Sequence, residues 1–176
     1  MHINMSEENF ASLGKIEAIA KLYEGTPYKA FDSAWFETPG RAYSTLKSRC
    51  LLEGIDFDLT YFPLKHLGYK SIVCVTGELY AELARPRCLD IVLGIASKLD
   101  FEHVRQIWDG MVTAAREHGY AKVPLDLVPS RHGLCINVAA CGETSVLEAK
   151  RRPAAKSMDL ICISGNLGAS YLGMNV

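Results

Sequence analysis

The chain has 176 residues, 49% of them hydrophobic and 22% charged, with a formal net charge of −1. That length suits one domain, or one domain plus part of another, with enough chain to bury a sizeable core. So small a net charge excludes the broad electrostatic footprint of a nucleic-acid or acidic-membrane binder, and the run Lys150-Arg151-Arg152 is too short to supply one.

No stretch approaches 18 uninterrupted apolar residues, so no membrane span is expected. The opening MHINMSEENF lacks the basic and then apolar pattern of a secretory signal. Six cysteines form no C-x-x-C pair and read as reduced thiols of a cytoplasmic protein. The five histidines show no metal-ligand spacing.

Residues 7–23 repeat apolar positions at three and four, which predicts an amphipathic helix with Ser6 as its cap. Residues 24–41, with Gly25, Pro27, Pro39 and Gly40, read as loop. AYSTLKSRCLL at 42–52 reads as a strand. Next, Glu53, Asp56 and Asp58 crowd around Gly54, as either a metal and phosphate site or a polar turn at a strand end.

Residues 63–84 fit a buried helix through Leu64, Leu67, Ile72, Val75, Leu79 and Leu83, with a strand over KSIVCV as the competing reading. Within that helix Glu78 and Glu82 stand four apart and read as an exposed face. A strand over 88–97 follows. The helix at 100–120 is capped by Asp100, carries an apolar face of Val104, Ile107, Trp108, Met111 and Ala115, and ends at Gly119.

KVPLDLV at 122–128 and GLCINVAACG at 133–142 read as strands joined by a hairpin turn over 129–133. Asp126 in that apolar strand calls for a partner, with Lys47, Arg49 and Arg131 as candidates. A polar connector leads to a strand at MDLICISG (158–165) and a helix start at NLGASYLG. The division expected is 1–150 as one domain and 151–176 as a connector plus the first elements of a second. The strands at 42–52, 88–97 and 133–142 are apolar at nearly every position and call for cover on both faces, which points to a two-fold partner.

LLEGIDFDLTYFPLKHLGYKS resembles the thiamine-monophosphate kinases, whose pattern here is D-x-L-V-E-G-V-H-F followed by H-L-G-Y-K-A. MDLICISGNLGASYLG is similar to their D-L-I-x-V-(S/T)-G-x-L-G. The resemblance implies an α+β fold of the aminoimidazole ribonucleotide synthetase N-terminal type. That means a β-α-β-α-β-β mixed sheet, pairing with a second copy into a β-barrel homodimer. It further implies ATP and Mg2+ at a carboxylate-rich edge, and phosphorylation of thiamine monophosphate to thiamine diphosphate.

Carried over residue by residue, the resemblance implies Asp32, Glu78 and Asp126 as metal ligands. It implies Arg152 against nucleotide phosphate, and Glu53, Gly54 and Asp56 near the substrate. It assigns no catalytic residue. The chain also departs from the pattern. Phe31 replaces the first aspartate of G-D-D-A-A-V, and Arg49 replaces the aspartate four residues before Glu53. Asp56 stands for the histidine of E-G-V-H-F, and PLDL replaces G-G-D-T with Pro124 at a glycine. Arg49 puts a cation where a divalent ion should sit, so metal-dependent ATP chemistry is expected to be lost or severely weakened. The alternative is a non-catalytic relative kept as a dimerising structural or ligand-sensing module.

Overall fold

A computed structural model describes residues 16–17, 20, 27, 35–38, 42–145 and 154–174. Its elements are β1 (Trp35–Thr38), β2 (Ala42–Leu52), α1 (Leu64–Ala81), β3 (Arg85–Ala96), α2 (Phe101–Glu117), β4 (Leu125–Ser130), β5 (Cys135–Ser145) and α3 (Ala169–Met174). From β2 to β5 the order is β-α-β-α-β-β, in a mixed α+β architecture. Of the helix expected at 7–23, only residues 16, 17 and 20 are described, and they are helical.

Helix wins over strand at 64–81 because Leu67, Ile72, Val75 and Leu79 share one fully buried face. Two buried hydroxyls on that helix are satisfied: Ser71 donates to the Gly68 carbonyl and Thr76 to that of Ile72, each at 2.7 Å, and the Thr76 hydroxyl also lies 2.9 Å from that of Tyr120. At α2 the Asp100 carboxylate accepts from the His103 N–H at 2.9 Å, and His103 Nδ1 accepts from the Asp100 N–H at 3.3 Å. This reciprocal cap fixes the helix start. Gly119, at φ +73°, ends it as expected.

The two helices meet backbone to backbone. A Cβ added at Gly68 would lie 1.9 Å from the Ile107 carbonyl oxygen, and one at Gly110 would lie 1.9 Å from that of Lys65. Only glycine permits this approach.

The sheet runs β1-β2-β5-β3-β4, antiparallel except for the parallel pair β3–β4. The hairpin expected at 129–133 is therefore not present. Helix α2 carries the chain from β3 to a parallel β4, and a parallel pair requires such a crossover. The chain then passes across the end of β3 to place β5 on its other side. PSRHG has turn chemistry, but it joins strands that are not neighbours.

Alternation along β5 separates the two faces. Ile136, Val138 and Ala140 are buried under the helices, and the residues between them are half-buried. The helix-covered face holds Leu89, Ile91 and Leu93 of β3 and Leu51 of β2. The opposite face carries Leu46, Cys50 and Leu52 of β2 and Val128 of β4, all exposed. There Cys50 and Cys135 bring their sulfurs to 3.5 Å.

The strand expected at 158–165 does not form: those residues join no sheet, and Met158 and Ile161 are 94% exposed. The helix start that follows is α3. Among the described residues no helix is long and apolar enough to cross a membrane.

Candidate functional site

Strand β2 delivers its polar residues to two places. Lys47 and Arg49 leave it on the helix-covered face beside the last turn of α1. Glu53 follows at its C-terminal end.

At the first place, Glu82 is buried and accepts from the Thr45 hydroxyl at 2.7 Å and from the Lys47 ammonium. One turn earlier, Glu78 pairs with the Arg49 guanidinium, with side chains 34% and 47% exposed. The expected exposed face of α1 is thus a seam of two ion pairs zipped to β2. Neither cation reaches Asp126.

Asp126 itself is exposed, and its carboxylate accepts from the Leu127 N–H at 2.8 Å. The ion partner expected for it is not required, because β4 is the sheet's edge strand and water reaches the carboxylate. The register places Asp126 in a row with Val92, Asn137 and Cys50, on the face away from the helices. Arg49 falls in the row of Val138 and Ile91, on the other face. Glu78 and Asp126 are therefore on opposite sides of the sheet. Among the described residues no cluster of three or more His, Cys, Asp or Glu could hold a metal ion. Asp32 and Arg152 lie outside the described residues.

At the second place the crowded carboxylates have separate partners. The Asp56 carboxylate accepts from the Leu52 N–H at 2.8 Å, and Gly54, at φ +81°, makes the turn that brings it back. The Asp58 carboxylate accepts from the N–H and hydroxyl of Thr60, both at 2.8 Å, and these bonds hold it below the usual carboxylate range. Both residues are polar turn anchors.

Glu53 differs. Its side chain is 15% exposed, pairs with the Lys98 ammonium and accepts from the Leu134 N–H at 2.8 Å. Burial works against its charged form, but these two donors outweigh it and hold the carboxyl below its ordinary value. Gly133, at φ +109°, lets the β4–β5 crossing pass close by, since a Cβ there would meet Glu53 Oε2 at 2.9 Å.

The Glu53–Lys98 pair is the wall between two hollows. The larger, about 630 Å³, is lined by Asp58, Tyr61, Phe62, Leu99, His103 and Gln106 among others. The smaller, about 370 Å³, is lined by Gly54, Ser97, Arg131, His132 and Gly133 beside the shared pair. Sequence reasoning did not find Lys98, Arg131 or His132 as site residues. Their only common signal is position just after a predicted strand.

No family model matches the chain. The thiamine-monophosphate kinase of Bacillus subtilis (strain 168) is 24% identical over 126 residues, 72% of this chain and 39% of that protein. The corresponding kinase of Rhodopirellula baltica is 25% identical over 126 residues, again 39% of that protein. Among solved structures, AaThiL complexed with AMPPCP and TMP aligns with a TM-score of 0.70 at 22% identity, covering 78% of this chain and 44% of that one. Thiamine monophosphate kinase from Aquifex aeolicus aligns at 0.65 with 24% identity, covering 77% and 44%.

The chain carries a thiamine-monophosphate-kinase-like N-terminal domain. It spans 39% of the length of the curated relatives it matches. In this kinase-like domain the Arg49–Glu78 pair occupies two of the positions where the resemblance implies metal-binding carboxylates. Pro124 and Leu125 occupy the glycine positions before Asp126, and Pro124 offers no N–H to a phosphate.

Proposed function

We propose that this chain is a thiamine-monophosphate-kinase-like domain whose metal-dependent phosphoryl transfer is lost or severely weakened, and which serves as a dimerising module. The observation that carries this reading is the Arg49–Glu78 ion pair. Phosphoryl transfer from ATP depends on carboxylates that hold Mg2+ against the phosphates. Here one of those positions is a guanidinium and the neighbouring carboxylate is engaged by it. Two unit positive charges about 4 Å apart repel by about 4 kcal/mol at an effective dielectric of about 20, an upper figure here because Glu78 offsets the guanidinium and both side chains are partly in water.

The homodimer reading is supported by the open sheet face. Leu46, Leu52 and Val128 are 47%, 40% and 40% exposed on the face opposite the one that α1 and α2 cover. A second copy presenting the same face would bury both in the manner of an isologous interface, closing the barrel that the resemblance implies.

The test is an assay with magnesium-ATP and thiamine monophosphate, beside calorimetry with an ATP analogue. No turnover above a heat-treated control is expected. Clear turnover would instead favour the kinase reading, with Asp32, Glu78 and Asp126 as ligands. Arg49→Asp is expected to improve divalent-ion binding. Sedimentation at micromolar concentration is expected to give a dimer, and a clean monomer would remove the barrel.

A further inference from the structure

We propose that Cys50 and Cys135 form a reversible redox site, a thiol pair that a small organic disulfide converts into a covalent link between β2 and β5. Their sulfurs stand 3.5 Å apart, although the residues are 85 positions apart in the chain. Both are free thiols, Cys50 exposed and Cys135 half-buried. They lie on the sheet face away from α1 and α2. The site shares no residue with the two ion pairs of α1 or with the two hollows beside Glu53.

Strand register brings the two together. Cys50 stands opposite Asn137 and Cys135 opposite Leu52, so the cysteines are diagonal neighbours on one face. Diagonal neighbours are spaced roughly 7–8 Å apart, against roughly 4.4–6.8 Å between the Cα atoms of a relaxed disulfide. Closing the bond therefore draws the strands slightly together. The pair stands at the last rungs of the β2–β5 ladder, where such a movement disturbs few backbone bonds. A disulfide held this way is reduced more readily than a relaxed one, which makes the link reversible. On its other side Cys135 faces Gly94 of β3, which has no side chain to crowd it. Cys88 and Cys141 are the contrasting pair. They stand directly opposite each other on the same face, but both are half-buried, so neither offers an exposed sulfur to start an exchange.

The exposed sulfur reacts first. The Cys50 thiolate attacks one sulfur of the small disulfide, whose S–S bond breaks, giving a mixed disulfide and one small thiolate. The Cys135 thiolate then attacks the Cys50 sulfur, forming the intramolecular bond and expelling the second small thiolate. The two protons lost by the protein thiols end on the two small thiols. The protein is oxidised by two electrons and the small disulfide is reduced by two. Burial, the contact with Cys135 and the charge of Asp56 all hold the Cys50 thiol above its ordinary value. Exchange is therefore slow at neutral pH and quickens as pH rises, because the thiolate is the nucleophile. Once formed, the link closes a long loop and restricts the unfolded chain, which stabilises the fold.

The probe is glutathione disulfide, incubated with the reduced chain at about pH 8.5, near the ordinary thiol value. Remaining thiols are then alkylated, and intact mass and peptide mapping read the product. A single chain lacking two hydrogens is expected, with the link mapped to Cys50 and Cys135 and reversed by dithiothreitol. The oxidised chain is expected to melt about 5 °C higher than the reduced one. Cys135→Ser is expected to stop at the mixed disulfide, one glutathione heavier on Cys50. Cys50→Ser is expected to form no link to Cys135. The proposal is overturned if the unaltered chain forms no intramolecular link, if the link maps to Cys88 and Cys141 or to any other pair, or if it only joins two chains. An unchanged or lowered Tm overturns the stabilising role of the link. None of these outcomes bears on the Arg49–Glu78 reading or on the dimer, which have their own assays.

Discussion

The two ion pairs between β2 and α1 have the same chemistry and stand one helical turn apart, yet they are different objects. Lys47–Glu82 is the inner pair. Its carboxylate side chain is 7% exposed and also accepts from the buried Thr45 hydroxyl. Arg49–Glu78 is the outer pair, with a third to a half of each side chain in water. Removing one partner of a buried pair strands a charge in low dielectric, whereas an exposed pair is replaced by water at little cost. The inner pair therefore holds the helix on the sheet. The outer one stands at two of the positions where the resemblance implies metal ligands, and its two charges face each other in partial contact with water.

That contrast can be broken first at its strong end. Glu82→Ala is expected to destabilise the fold by about 3–5 kcal/mol, because Lys47 and the Thr45 hydroxyl lose their buried acceptor. Chemical denaturation checks it, and a loss under about 1 kcal/mol would erase the distinction between the pairs. Gly68→Ala asks whether α1 is placed instead by its contact with α2. With a Cβ 1.9 Å from the Ile107 carbonyl oxygen, the helices must part, at a cost of about 3 kcal/mol in the same assay. Leu83 sharpens the comparison from the next position. It holds φ +58° directly after Glu82, a conformation that favours glycine. Leu83→Gly is expected to stabilise by about 1 kcal/mol, raising Tm while leaving the inner pair intact. The smallest effect belongs to the outer pair: Arg49→Ala should change stability by about 0–1 kcal/mol.

What the sequence disclosed was local. Asp100 and Gly119 bracket α2 because caps and C-terminal glycines act within a few residues, and α1 follows from the spacing of Leu67, Ile72, Val75 and Leu79. The residue patterns themselves gave the order β-α-β-α-β-β from β2 to β5, and the resemblance implied the same order. What stayed hidden depends on strand order. PSRHG has the chemistry of a hairpin, but nothing in those five residues reports that β3 lies between the strands they join. The same crossing brings Arg131, His132 and Gly133 beside Glu53 and Lys98, so a hollow built by topology left no motif to read. Glu82 reads as a surface residue by its place on the helix. Its burial is decided by Thr45 and Lys47, on a strand more than thirty residues earlier.

The pairing of β2 with β5 has a consequence for how the molecule comes together. Ala42 meets Ser145 and Leu52 meets Cys135, so the first long strand waits for the last one before its inner edge is satisfied. Both helices and the β3–β4 crossover can form beforehand from contacts closer in sequence. Closing so long a loop carries its entropic cost before the ladder repays it, which places the step late and makes it slow. During synthesis a growing chain would hold the β2 edge open until β5 has emerged. Any early partner for that edge, including β2 of another growing chain, would compete with correct folding.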